Sequence, residues 1–186
     1  MNENLAYQEE PWEEKLNGEI ILMSPLPTVN HNWVAGRIFV AFSVCLKGKS
    51  CIPFGDGTDV YLTESDHVIP DVMIICNRDI IQNDGIHGTL DLIVEVLSSS
   101  TTKNDRGYKK DLYERVGVKE YWIADPKLCS IEVYLLENGK YKLDEVYALP
   151  IDDMKEEEKA KCKVSAPVSP YDNFTIPLEE IFYNLL

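Results

Sequence analysis

Hydrophobic residues along the chain follow two spacings, one typical of helices and one typical of strands. Between Val29 and Cys45 apolar residues recur at helical intervals, and Gly48 follows, which predicts a long first helix. A second helix is predicted over residues 101–118 and is closed by Gly117. Strands are predicted at residues 17–25, 50–54, 58–62, 67–76, 90–100, 119–125, 130–137, 142–149 and, capped by a helical turn, 173–182.

The order of these elements predicts the fold class. Residues 77–89 are expected to form a loop, and the charge run at 152–163 to form a solvated loop or helix. A helix, then strands, then a helix, then more strands indicates an α/β or α+β sandwich around a mixed sheet. The length of 186 residues, without a repeat or linker, favours one domain over residues 1–186.

Two carboxylates interrupt strands that are otherwise apolar. Glu95 lies within "LIVEVL" and Asp71 lies within "VIPDVMIIC". A buried carboxylate is costly unless it is paired, hydrogen-bonded or bound to a metal ion. If the two strands are neighbours, the two acids can converge.

The second predicted helix carries a related anomaly. At about 100° per residue, Asp105 and Lys109 fall on its apolar face rather than on its polar one. Their i, i+4 spacing allows a salt bridge at the edge of the core. Alternatively, Lys109 points toward Glu95, since this helix starts just after that strand ends.

Two strand carboxylates and one lysine are typical of one kind of chemistry. Magnesium is often held by one or two carboxylates together with water and a substrate phosphate. A lysine beside them can orient water or offset charge at phosphorus, which suggests metal-assisted phosphodiester hydrolysis. Buried structural ion pairs are the alternative explanation.

Composition and charge narrow the function classes. The net charge of −14 disfavours non-specific nucleic-acid binding, which rests on lysine and arginine, but permits a local site neutralised by metal ions. No apolar run is long enough to span a bilayer and no signal peptide is evident, so a cytoplasmic protein without membrane association is expected. Five cysteines, an odd number without a C-x-x-C pair, predict reduced and mostly buried thiols.

An ordered set of motifs resembles a known family. The segments "PDV" at 70–72, "EVLS" at 95–98, D-x-x-x-K-x-x-x-Y at 105–113 and "GVKEYWIADP" at 117–126 resemble the Uma-two family of restriction-endonuclease-like proteins, within the PD-(D/E)XK nuclease superfamily. The resemblance extends from "NGEIILMSPLPTVNHN" to "FTIPLEEIF". It implies a restriction-endonuclease-like central mixed β-sheet flanked by helices, and an endonuclease that hydrolyses DNA.

The resemblance also implies roles for individual residues. Asp71 and Glu95 would be the two motif acids and would bind Mg²⁺ or Mn²⁺. The superfamily usually places its lysine two residues after the second acid, where this chain has Leu97. Lys109 would be the migrated replacement, and His31 would be either an accessory site residue or an ordinary helix-terminus histidine.

Other residues and alternatives remain open at this point. Asp105 is expected to orient Lys109, and Asp59 to be either a further acid near the site or a turn residue. The aromatic residues Tyr113, Tyr121 and Trp122 are expected in the core. A catalytically weak or inactive binding or assembly module with the same fold is the competing function. The resemblance also suggests a homodimer, since superfamily nucleases often pair to cut two strands and the C-terminal strands could offer an edge.

Overall fold

The computed structural model describes residues 12–22, 27–151, 154–168 and 174–186. Most predicted strands are present, as is the long first helix. In chain order the elements are β1 (Glu13–Leu16), β2 (Glu19–Leu22), α1 (Val29–Leu46), β3 (Ile52–Gly55), β4 (Val60–Tyr61), β5 (His67–Val68), β6 (Val72–Ile75), a 3-10 helix (Arg78–Ile80), β7 (Ile81–Gln82), β8 (Gly85–His87), β9 (Leu92–Val96), α2 (Thr102–Arg106), α3 (Tyr108–Val116), β10 (Glu120–Asp125), β11 (Ser130–Glu137), β12 (Lys140–Ala148), α4 (Glu156–Lys159), β13 (Ser165–Pro167), β14 (Thr175–Pro177) and α5 (Leu178–Phe182).

The central sheet has the strand order β12-β11-β10-β9-β6-β3. Only the β9–β10 pair is parallel, and the other neighbours are antiparallel, so the predicted mixed sheet is confirmed. Alternate residues of β9 face opposite sides. Val94 packs in the core that includes α1, whereas Ile93 packs in the core that includes α3. Both faces of β9 are therefore buried, which explains its nearly continuous apolar sequence.

A second sheet of short strands runs in the order β2-β1-β5-β4-β8-β7. Its β5 and the β6 strand of the central sheet together replace the single strand predicted at 67–76. Pro70 lies between them, because a residue without an N–H cannot continue a ladder. Asp71 therefore sits immediately before β6 rather than inside a strand.

The predicted second helix is divided into α2 and α3 at Gly107. A Cβ atom at Gly107 would lie 2.8 Å from the carbonyl oxygen of Lys103, so a side chain does not fit there. Gly117 ends α3 in the left-handed conformation with φ of 86°, as its sequence position predicts. The predicted loop at 77–89 instead contains the 3-10 helix and the β7–β8 hairpin.

Two of the cysteines contradict the prediction of reduced thiols. Cys51 and Cys76 form a disulfide. The antiparallel register of β3 and β6 pairs Ile52 with Ile75, so the next residues outward, the two cysteines, lie opposite each other. Their separation of 25 residues carries no local signal for this pairing. The remaining cysteines are free thiols: Cys45, Cys129 and Cys162.

Two further features concern the surface. The charge run predicted at 152–163 carries the short helix α4, whose residues are mostly exposed, and residues 152 and 153 lie outside the described ranges. Among the helices that the structure describes, none combines the length and apolar character needed to traverse a bilayer.

Candidate functional site

The two strand carboxylates meet at one end of the central sheet. The β6–β9 register pairs Val72 with Val94, and continuing it by one residue places Asp71 opposite Glu95. Directly opposite residues in an antiparallel pair have Cβ atoms about 4.5–5.5 Å apart. The Val96 N–H donates a 2.6 Å hydrogen bond to Asp71 Oδ2, which fixes this carboxylate against β9. The predicted convergence of the two acids is therefore present.

Glu95 is buried, with 3% of its surface exposed. Its Oε1 atom accepts hydrogen bonds from Tyr113 Oη at 2.6 Å and from Lys109 Nζ at 3.1 Å. Burial raises the pKa of Glu95 well above its usual value. The neighbouring acids Asp105, Asp71 and Glu14 raise that pKa further, against the lowering effect of Lys109.

Lys109 is the cation at the centre of this cluster. Its Nζ lies 2.7 Å from Glu14 Oε1, 3.1 Å from Glu95 Oε1 and 3.9 Å from Asp105 Oδ1. Burial alone would lower the pKa of Lys109, but the three carboxylates outweigh burial and raise it. The lysine therefore stays charged, and it makes both the contact toward Glu95 and the i, i+4 pair that the sequence suggested.

Asp105 is the least satisfied member of the cluster. It is 1% exposed, and neither carboxylate oxygen has a hydrogen-bond partner among the described residues. Burial raises the pKa of Asp105 to about 6, although Lys109 opposes this. The hydroxyl of Tyr121 donates to the Asp105 backbone carbonyl at 2.9 Å and so fixes the start of the lysine-bearing segment.

His31 reaches the same place from the first turn of α1. Thr28 caps this helix, and its Oγ1 accepts a hydrogen bond from the His31 N–H at 3.2 Å. His31 Nε2 lies 3.4 Å from Asp71 Oδ2, whereas the buried Nδ1 has no partner among the described residues. Burial lowers the pKa of His31, but the hydrogen bond and charge of Asp71 outweigh it, so the pKa is raised overall. The histidine is thus both a helix-terminus residue and a neighbour of the acids.

Comparison with known proteins identifies the family to which a chain with these site residues belongs. A family model called Uma2, described as "Putative restriction endonuclease", matches residues 2–161. The chain belongs to the Uma2 family. It also resembles the crystal structure of "a putative nuclease belonging to DUF820 from Anabaena variabilis ATCC 29413", with 17% identity and a TM-score of 0.71 over 94% of this chain and 91% of that chain. No curated protein matches the chain.

In this Uma2 protein, three residues that the sequence did not single out for the site contribute to it. Glu14 of β1 bonds Lys109, and Tyr113, expected only as a core residue, bonds Glu95. The β3–β6 register pairs Gly55 with Val72, so Asp56, the first residue after β3, follows opposite Asp71. Partial burial and the charge of Asp71 raise the pKa of Asp56.

Other candidates in the Uma2 chain lie elsewhere. Asp59 pairs with His67 at 2.7 Å on the second sheet, so it serves that sheet rather than the acid cluster. Leu97 is half-buried and packs against the core that includes α3. The positive charge beside Glu95 comes from Lys109 of α3.

The donors available to a cation are limited in number. Among the described residues, no group of three or more His, Cys, Asp or Glu side chains is arranged to hold a metal ion. Asp71 and Glu95 each use one oxygen for protein contacts, Oδ2 and Oε1 respectively. The hydrogen bonds described above leave the second oxygen of each, Asp71 Oδ1 and Glu95 Oε2, as the candidate donors to a cation.

Proposed function

We propose that this protein is a metal-dependent endonuclease that hydrolyses phosphodiester bonds in DNA. The observation that carries the proposal is the pair Asp71 and Glu95. They stand opposite each other, Asp71 just before β6 and Glu95 on β9, and the charged Lys109 lies beside Glu95. Membership of a family described as "Putative restriction endonuclease" supports the same reaction.

The residues fit a magnesium or manganese ion. Two carboxylates are a usual protein contribution to a magnesium site, since water and substrate phosphate complete the shell. The cluster holds four acids, Glu14, Asp71, Glu95 and Asp105, against one lysine, and burial disfavours the charged forms of Glu95 and Asp105 unless a further cation joins them. Asp71 and Glu95 would hold the ion, which would act as a Lewis acid on the phosphate oxygen.

The remaining residues have roles that follow from their positions. Lys109 stays charged and would offset the negative charge that develops on the phosphate oxygens during attack by water. Tyr113 and Lys109 together fix the orientation of Glu95. His31 lies next to Asp71 and acts as an accessory residue toward the substrate or the attacking water.

The DNA substrate must be bound without a basic surface. The net charge of −14 opposes association with phosphates, and two basic side chains of the helices beside the site are engaged by other groups. Arg106 pairs with Glu132 at 2.6 Å, and Lys110 lies 3.6 Å above the ring of Tyr134. Affinity therefore comes mainly from the cation site itself, from a second copy of the chain, or from another protein. A homodimer stays a prediction, for which the edge strand β12 offers one surface.

Cleavage of supercoiled plasmid in magnesium or manganese tests the proposal. The native protein is compared with Asp71→Asn, Glu95→Gln and the control Asp79→Asn, whose side chain is exposed in the 3-10 helix. We expect nicking by the native protein and by the control, its loss in the two site variants, and its loss in EDTA.

The outcomes separate the candidate functions. Equal nicking by all four preparations would identify a contaminating nuclease and refute the assignment. Absence of nicking by the native protein, together with metal binding that depends on Asp71 and Glu95, would favour the binding or assembly module. That alternative draws on one observation, the engagement of Lys109 by the carboxylates of Glu14 and Glu95 at hydrogen-bond distance, which holds the ammonium group within the protein.

A further inference from the structure

Lys109 has more carboxylate partners than a buried lysine needs. One carboxylate neutralises one ammonium group, and each additional buried carboxylate carries a desolvation cost. Nevertheless Glu14 reaches Lys109 from the N-terminal strand β1 and makes its shortest contact, 2.7 Å. The side chains of Glu14 and Lys109 are only 6% and 4% exposed. Glu14 therefore has a function that Glu95 does not already fulfil.

The second partner of Glu14 indicates what that function is. Its Oε1 atom also accepts the backbone N–H of Ile69 at 3.0 Å. Ile69 belongs to the short link between β5 and β6, two residues before Asp71. One carboxylate oxygen thus connects the lysine of α3 to the segment that presents the first acid.

Charge repulsion gives this connection its importance. Glu95 Oε1 lies 3.1 Å from Lys109 Nζ, so a divalent cation held by Glu95 would repel the ammonium group at short range. The attraction between Glu95 and Lys109 would weaken at the same time, because Glu95 would share its charge with the cation. Only a second carboxylate that does not move with Glu95 can keep the lysine in place.

We propose that Glu14 is a positioning residue that holds Lys109 beside Glu95 when Glu95 binds a cation, and that it fixes the Ile69–Asp71 link at the same time. This inference rests on the proposed nuclease function. Asp105, at 3.9 Å from Lys109, is too distant to replace the 2.7 Å contact.

The test uses Glu14→Gln, which keeps the shape and removes the charge, and the rescue variant Glu14→Asp. Glu13→Gln is the matched control, because Glu13 is the exposed neighbour on the same strand. All proteins are full length, and thermal melting confirms that each variant is folded.

The first readout needs neither metal nor activity. In protein labelled with ¹⁵N-lysine, NMR detects the ammonium protons of Lys109, whose burial slows their exchange with water. A Lys109→Met sample assigns the signal. We expect exchange at least about tenfold faster in Glu14→Gln than in the native protein or in Glu13→Gln, since the closest hydrogen-bond acceptor has lost its charge. Equal exchange in all three proteins would overturn the inference.

The second readout is plasmid cleavage in magnesium. We expect kcat of Glu14→Gln to fall by at least about tenfold while KM stays within about twofold, because misplaced catalytic groups affect the transition state more than substrate binding. Glu14→Asp should recover part of kcat. A kcat of Glu14→Gln within about twofold of that of Glu13→Gln would overturn the inference. If the native protein does not cleave at all, the proposed function fails and the NMR comparison alone decides the role of Glu14.

Discussion

Asp66 provides the sharpest quantitative prediction, because it joins the two parts of the molecule that meet at Lys109. It is 1% exposed, just before β5. Its Oδ1 atom accepts the Asn17 N–H at 2.8 Å in the β1–β2 turn and the Tyr108 hydroxyl at 2.6 Å at the start of α3. The first contact holds the hairpin that carries Glu14, and the second holds the helix that carries Lys109. Asp66→Asn should therefore loosen both.

The size of the effect follows from the pKa of Asp66. Burial alone would raise this pKa, but hydrogen bonds from Tyr108, Asn17, Thr63 and Ser65 together outweigh burial and lower it from the usual 3.8 to about 2. At 1.36 kcal/mol per pH unit, the ionised carboxylate contributes roughly 2 kcal/mol to the free energy of unfolding. Because the folded-state pKa is the lower one, this contribution is complete above about pH 4 and is lost as the pH falls toward 2.

Urea denaturation measures this contribution directly. At pH 7 we expect Asp66→Asn to be about 2 kcal/mol less stable than the native protein, and we expect the difference to shrink as the pH is lowered from 5 to 3. Glu64→Gln, an exposed neighbour, should stay within about 0.5 kcal/mol of the native protein. The reasoning would be refuted by a difference under about 0.5 kcal/mol at pH 7, or by a difference that does not change with pH.

Three further substitutions test separate features. Glu95→Gln should leave the metal-free melting temperature unchanged or raise it, because burial disfavours the charge of Glu95 and Lys109 keeps two other carboxylates. Calorimetry of this variant should detect no magnesium binding. A clear loss of stability would instead identify Glu95 as a structural residue. Cys51→Ser should lower the free energy of unfolding by up to about 3 kcal/mol under oxidising conditions but not in dithiothreitol, because the bond to Cys76 closes a loop of 25 residues. Gly107→Ala should cost about 1–3 kcal/mol through its clash with a backbone carbonyl, whereas Gly36→Ala, in open space on α1, should be neutral or stabilising in the same urea titration.

The central acids and the lysine could be predicted because each conflicts with its own sequence neighbourhood. Glu95 interrupts an apolar strand, and Lys109 lies on the apolar face of a helix, so each position indicates a polar contact inside the protein. The acidic partner of Lys109 in the same helix, Asp105, follows from i, i+4 spacing alone. The spacing of apolar residues is therefore sufficient to identify these residues as candidates, and the family motifs then assign each of them to a motif position.

The other site residues depend on contacts between distant parts of the chain. Glu14 lies 95 positions before Lys109, in a segment that contains several glutamates, so its residue type alone does not distinguish it. Its only local signal is that it shares a buried strand face with Leu16, in a strand of four residues. Asp56 and the disulfide both follow from the β3–β6 register, which cannot be read before the strands are paired. Pro70 separates β5 from β6, and Gly107 separates α2 from α3. Both residue types are typical of breaks, but the apolar spacing continues across each of them, so the pattern predicted one strand and one helix.

Acidic residues are in excess both over the whole chain and within the cluster around Lys109. Across the chain, 32 acidic residues face 18 lysines and arginines, which opposes association with any phosphate backbone. Within the cluster, the acids likewise outnumber Lys109, and the pKa of Asp105 rises to about 6 because burial outweighs the attraction of that lysine. In the proposed function, a divalent cation would offset both excesses of acid, since it would neutralise acids in the cluster and present positive charge to a phosphate. If the proposed function holds, a bound cation would therefore be a main point of attraction for nucleic acid on a protein of this charge.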